Sequence, residues 1–102
     1  MHFLVETFDA DGVADLRAEI RPAHLRYLED HVDIILAAGA KLTDDGGNAG
    51  GSAYLLDVPD RAAVEAFLVG EPFQQAGVIA RTTITRWRRG FFDRQRVPQE
   101  GQ

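Results

Sequence analysis

The stretch Phe3-Leu4-Val5-Glu6-Thr7-Phe8 constrains the fold most, because it is an extended segment with apolar side chains on both of its faces. Aromatic and β-branched residues favour a strand here, and Asp9-Ala10-Asp11-Gly12 ends it as a turn. Successive side chains of a strand point to opposite faces, so Leu4 and Phe8 share one side while Phe3 and Val5 take the other. A sheet built on such a strand needs cover twice, by helices on one face and by something else, such as another subunit, on the second.

Read onward from that strand, the chain alternates between helical and extended patterns. Val13 to Glu19 is a short helical run, and Pro22 opens a new helix at its first turn, where a missing N–H is tolerated. Leu25, Leu28, Val32 and Ile35 recur at helical spacing, so this helix turns a stripe toward a core and Glu29, Asp30 and Asp33 toward water. It runs to about Ala38, with Gly39 as its terminator. Lys41 to Asp45 is a short second strand leading into Gly46-Gly47-Asn48-Ala49-Gly50-Gly51, a flexible hairpin connection. That loop lacks the Gly-Lys-Ser/Thr ending of a phosphate loop, and no helix follows to make it a dinucleotide fingerprint.

Ser52 to Val58 is the third strand, stopped by Pro59. Asp60 caps a helix from Arg61 to Val69 with Val64, Phe67 and Leu68 on its apolar face and Gly70 at its end. Glu71 to Gly77 is a turn or helical hook, and Val78 to Arg88, rich in threonine and isoleucine, is the last long strand. The order β-α-β-β-α-β is the ferredoxin-like split unit, an α+β fold with an antiparallel sheet and helices on one face. A symmetric homodimer is the simplest cover for the other face. Beyond residue 88 the tail, including Phe91-Phe92, has no periodicity, and its last residues are expected to be mobile.

Composition narrows the function classes. At 102 residues there is room for a single core, and no apolar run is long enough for a membrane span. The N-terminus lacks the basic start and apolar stretch of a secretion signal, which points to the cytoplasm, and with no cysteine there is neither a disulfide nor thiolate chemistry. The net charge of −5 is uneven: residues 1–80 carry 5 basic and 14 acidic side chains, residues 81–102 carry 6 and 2. An acidic protein repels phosphate backbones and shows no nucleic-acid motif, so these arginines are expected to pair with the acidic remainder of the chain or of a partner subunit.

His24 sits at the edge of the helical stripe, where an imidazole can take or give a proton near neutral pH. A partly buried histidine bonded to backbone is the other reading of the same position. His24 and His31 are seven residues apart, two turns rather than the one turn of a helical metal pair, and Asp44 and Asp45 are ordinary loop residues, so no metal site or cofactor is expected. His2 reads as a solvated terminal residue, Tyr54 and Trp87 as packing or interface aromatics.

Arg21-Pro22-Ala23-His24-Leu25-Arg26-Tyr27-Leu28, Ala37-Ala38-Gly39, Gly51-Ser52, Glu71-Pro72-Phe73 with Ala76-Gly77, and Ile84-Thr85-Arg86-Trp87 together resemble the YciI-like (YCII-related) proteins over residues 1–88, leaving 89–102 as a partly flexible C-terminal tail. The resemblance implies a ferredoxin-like protomer paired into a dimeric α/β barrel, with a histidine at the position of His24 and an aspartate in an Asp-Pro-aromatic motif as the active-site pair. Here the acid before Pro72 is Glu71, which keeps the charge and extends it by one methylene. On this reading His24, oriented by Glu71, is general base and then acid for isomerisation or elimination on a small oxygenated or aromatic substrate. Ser52 donates to a substrate oxygen, and Arg21 or Arg81 neutralises an enolate or carboxylate. Ser52 is not a nucleophile, since no strand-to-helix elbow surrounds it. Two other functions use the same pocket: a non-catalytic ligand-binding or accessory module, and a cofactor-free monooxygenase.

Overall fold

The computed structural model of the chain describes residues 1–99. In it, β1 (His2–Asp9) is an interior strand, paired antiparallel with β3 (Asn48–Asp57) on one side and β4 (Ile79–Trp87) on the other. β2 (Ile35–Leu42) adds to the far side of β3, giving the order β2-β3-β1-β4. Helices α1 (Ala14–Glu29) and α2 (Arg61–Gly70), with the one-turn α3 (Pro72–Gln75), cover one face. This is the antiparallel α+β arrangement of the ferredoxin-like unit.

The alternation in β1 sorts its side chains as its pattern requires. Phe3, Val5 and Thr7 are buried under the helices, with Tyr54 and Leu56 beside them on β3 and Val64, Phe67 and Leu68 above them on α2. Leu4, Glu6 and Phe8 face the other way and are only partly covered. There Leu4 pairs with Leu55, and the two join Ala37, Gly39 and Ala53 in a shallow apolar patch. At the upper end of that face the Phe8 ring lies between the Lys41 ammonium, 3.5 Å from its centroid, and the Arg81 guanidinium at 3.9 Å.

Two expectations about the first half of the chain are corrected. Pro22 does not open a helix; it sits inside the single helix α1. Ala18, whose carbonyl loses its bond to the missing N–H, lies with Pro22 on the exposed side, where water can serve instead. The helix also stops at Glu29, far short of Ala38, and a 3₁₀ turn (Val32–Ile34) leads into β2. Gly39 is therefore a strand residue, and the second strand spans Ile35–Leu42 rather than 41–45. The spacing Leu28, Val32, Ile35 imitates a helix, yet the segment is rich in β-branched residues and gains a ladder of hydrogen bonds to β3. Val32 is 65% exposed and Leu25 38%, so these two turn away from the core, while Leu28 and Ile35 of the same spacing pack against it.

The later elements lie close to their expected places. Asp60 caps α2 by accepting the Ala63 N–H at 2.9 Å. Gly70 ends it where a Cβ would come within 2.6 Å of the Tyr27 hydroxyl, which donates to the Phe67 carbonyl at 2.7 Å. Beyond β4 the chain forms a small hairpin of β5 (Phe91–Phe92) and β6 (Gln95–Arg96), turned by Asp93 and Arg94 at φ 51 and 62. The tail thus carries structure that its lack of periodicity did not reveal, while residues 100–102, on which the expected mobility falls, lie outside the described residues. No helix among the described residues is long and apolar enough to cross a membrane.

One glycine in the sheet is obligatory. A Cβ on Gly51 would stand 2.2 Å from the Thr7 carbonyl oxygen, a backbone atom that cannot rotate away. Gly51→Ala is expected to cost about 1–3 kcal/mol of stability by forcing β1 and β3 apart, whereas Gly39→Ala, which meets nothing within 4 Å, should change stability far less. Urea denaturation of the two variants checks this, and equal midpoints would refute it.

Candidate active site

Helix α1 buries two residues, and neither is apolar: they are Arg17 and His24. Each is tied across to another element, and the space between them is a cavity of about 240 Å³ lined by Arg17, Arg21, His24, Tyr54, Ser52 and Phe73, with Leu25, Leu28 and Ala38–Ala40 completing its wall. A volume of this size suits one small ring and its substituents and is below that of pockets for drug-sized molecules.

The His24 end is built by the corner between α2 and α3. Glu71 is both the last cap of α2 and the N-cap of α3, with Pro72 as the first helical residue. Glu71 Oε2 accepts the Phe73 N–H at 3.1 Å, which directs Oε1 to His24 Nδ1. Glu71 is 1% exposed and His24 6%, so this contact is shielded from water. The imidazole donates through Nδ1, which leaves Nε2 as its remaining nitrogen. Phe73, held by the same cap, stacks on the imidazole with centroids 4.0 Å apart and planes 17° apart. The motif acid-Pro-aromatic thus supplies a cap, a helix start and a ring that fixes the histidine.

The opposite end is built on the first turn of α1 and on β3. Arg17 Nη1 reaches Asp9 Oδ1 and Oδ2 at 2.9 and 3.0 Å, and its Cζ lies 4.4 Å from the Phe73 centroid. Arg17 Nη2 donates to Ser52 Oγ at 3.0 Å and to the Gly51 carbonyl at 3.4 Å. The Ser52 N–H donates to Thr7 Oγ1 at 3.0 Å, fixing the serine on the buried face. Tyr54 closes the floor; burial first, and then the negative charge of Glu71, push its phenol far above the usual range, with Ser52 and Arg17 pulling the other way.

Of the residues singled out from sequence, His24, Glu71, Ser52 and Arg21 come together around this cavity, Glu71 standing behind His24. Arg81 does not: it lies over Phe8 on the opposite face of the sheet. Arg17, Asp9, Phe73 and Tyr54 were missed as site residues. His2 is half-buried and 3.7 Å from Asp57 rather than simply solvated. His31 donates Nδ1–H to the Tyr27 carbonyl at 2.7 Å and packs against Tyr27 and Phe67, away from His24. A larger depression of about 750 Å³, lined by Met1, His2, Trp87 and Arg86 among others, includes neither His24 nor Glu71.

The chain matches the family described as "YCII-related domain" over residues 1–88. Among solved structures it is similar to the 5-chloro-2-hydroxyhydroquinone dehydrochlorinase (TftG) from Burkholderia phenoliruptrix AC1100, in complex with 2,5-dihydroxybenzoquinone. The two are 33% identical with a TM-score of 0.81 over 88% of this chain and 96% of that one. An antibiotic biosynthesis monooxygenase, 16% identical, aligns with a TM-score of 0.50 over 82% of this chain and 92% of that one, a likeness of fold alone. No curated protein matches the chain.

The tyrosines report on the burial of this site. Tyr27 is also raised above its ordinary value, by burial and then by Glu71. A phenol that holds its proton more tightly when folded adds stability that is complete below about pH 10 and is lost as pH rises beyond it. Ultraviolet titration should therefore show tyrosinate appearing above its ordinary pH, that of Tyr54 only as the protein unfolds in alkali, and Tyr54→Phe should lessen that alkaline loss. Tyrosinate forming at its ordinary pH in folded protein would contradict the buried phenol.

Proposed function

Because the chain belongs to the YCII-related domain family, we propose that it is an enzyme of acid-base type acting on a small oxygenated ring, by isomerisation or elimination. The observation that carries this reading is the buried His24–Glu71 contact beside a ring-sized cavity, with one imidazole nitrogen left over. In this mechanism Nε2 of His24 takes the proton of a ring hydroxyl, Glu71 stabilises the imidazolium, and the proton returns to a ring carbon to give the keto tautomer. On a carbon that also bears a leaving group, loss of a second hydroxyl proton expels that group with its bonding electrons. Ser52 donates to the ring oxygen that gains charge, and Arg21 at the rim favours the anion.

The relative crystallised with 2,5-dihydroxybenzoquinone supports the choice of ring and of elimination, and it names the probe compounds. Wild-type protein is expected to release chloride from 5-chloro-2-hydroxyhydroquinone, and His24→Ala to lose about 10²–10⁴-fold of that rate while still binding 2,5-dihydroxybenzoquinone. Binding by the wild type without chloride release would overturn elimination on this ring and leave a ligand-binding module.

We further propose a homodimer formed through the open sheet face, where Leu4, Leu55 and Ala53 lie beside Ala37 and Gly39. Leu55→Asp should convert the dimer to a folded monomer in sedimentation equilibrium. A wild type that sediments as a monomer at every concentration rejects the proposal.

A further inference from the structure

The arginines of the C-terminal segment are not used by the acid-base site. Among the described residues Arg81, Arg86, Arg89, Arg94 and Arg96 make no ion pair with a carboxylate, so the pairing within the chain that their charge predicts does not occur there. Two of them, Arg86 and Arg89, line the depression of about 750 Å³. It lies at the end of β1 where His2 pairs with Asp57 and Trp87, whereas Thr7 and Ser52 pair at the end beside the cavity. No carboxylate is among its lining residues, and Asp57 meets it through His2 at 3.7 Å. Arg88 lines it too and has an interaction of its own. Its outer wall is a strap. The Val97 N–H donates to the Gly90 carbonyl at 2.9 Å, and the Gln99 amide donates to the Arg89 and Val97 carbonyls at 2.6 and 2.9 Å, which folds residues 97–99 back beside Arg89.

Arg89 is the residue that needs an explanation. Its guanidinium lies over Phe92, 5.0 Å from the ring centroid, and among the described residues none of its N–H groups has a hydrogen-bond partner, the buried Nε included. A buried donor nearly always has an acceptor, and a charged group left unpaired costs more than a neutral one. With Nε enclosed, compensation has to come through the Nη donors. The positive field is felt at His2, whose imidazole is pushed below its ordinary value by burial first and then by Arg89 and the amino terminus, against the pull of Asp57. We propose that the depression is a second ligand site, in which Arg86 and Arg89 hold a small oxyanion of the phosphate or carboxylate class and Trp87 gives its organic part a flat apolar wall. Guanidinium groups suit such anions because their parallel N–H donors match two oxygens at once. The site is independent of the acid-base reading, and its wall lies beyond residue 88, where the match to the family ends.

Trp87 is the only tryptophan of the chain, so its fluorescence reports on this site alone. Phenyl phosphate and benzoate, each titrated at an ionic strength held constant with sodium chloride, are the probes, followed by calorimetry and by that fluorescence. At least one of them is expected to bind saturably and to move the Trp87 signal, and the one that does names the class of anion. Arg89→Gln and Arg86→Gln should each weaken this binding about tenfold. Arg96→Gln, on the same segment but outside the depression, should leave it unchanged. Arg86 is exposed, so its variant keeps the fold even where loss of Arg89 loosens the strap, and thermal melts of all three check this. The proposal is overturned by no saturable binding of either probe, by binding heat that leaves Trp87 unmoved, by an equal response to chloride, or by equal weakening in all three variants.

Discussion

The His24–Glu71 contact joins residues 47 positions apart, fastening the middle of α1 to the corner between α2 and α3. Removing one partner from such a buried pair leaves the other without compensation, which costs about 3–5 kcal/mol in comparable pairs. The dependence is strong because α1 has few apolar contacts. Its buried residues are Arg17 and His24, and beside them only the partly buried Tyr27 and Leu28 pack on the core, with the Tyr27 hydroxyl donating to the Phe67 carbonyl. A helix with a full apolar stripe would interdigitate with the sheet and fill the space beneath it. Polar ties hold α1 at its ends and middle, and the cavity is what remains between them.

The same corner explains why a glutamate serves before Pro72. An N-cap carboxylate commonly satisfies a first-turn N–H with one oxygen. Glu71 does this for Phe73 and still offers its second oxygen to the imidazole. A carboxylate that both caps a helix and bonds a ring nitrogen is restrained at two points, so the added methylene brings reach without added freedom. The cap, the tautomer of His24 and the stacking of Phe73 are thus fixed by one local structure.

Much of this was legible in the sequence, and the exceptions share a cause. The order of elements along the chain, the double-faced β1, the Asp60 cap and the Glu71-Pro72-Phe73 hook are local patterns that the tertiary structure leaves intact. The fold-level error came from reading Pro22 as a boundary. Once α1 is continuous, Arg17, Arg21, His24 and Leu28 fall at i, i+4, i+7 and i+11, a single stripe, and all four line the cavity. The signal for Arg17 was present and was cut in two by the proline. Asp9 carried no such signal: an aspartate in a turn is ordinary, and only the pairing with Arg17 across the β1–α1 connection distinguishes it. Arg81 misled for the opposite reason, since parity along β4 decides its face and periodicity does not show which face is the helical one.

Charge balance gives the site its chemical character. His24 has Glu71 and Arg17 has Asp9, each pair internal to the protein. Neither pair needs a counter-ion from a ligand. On the proposed acid-base reading, a proton taken up by His24 would give an imidazolium that already faces Glu71. At the other end Ser52 is held through its hydroxyl oxygen by Arg17 and through its backbone N–H by Thr7. The two ends share the Phe73 ring, and their geometry is therefore set together: what loosens the α2–α3 corner disturbs the His24–Glu71 and Arg17–Ser52 contacts at once.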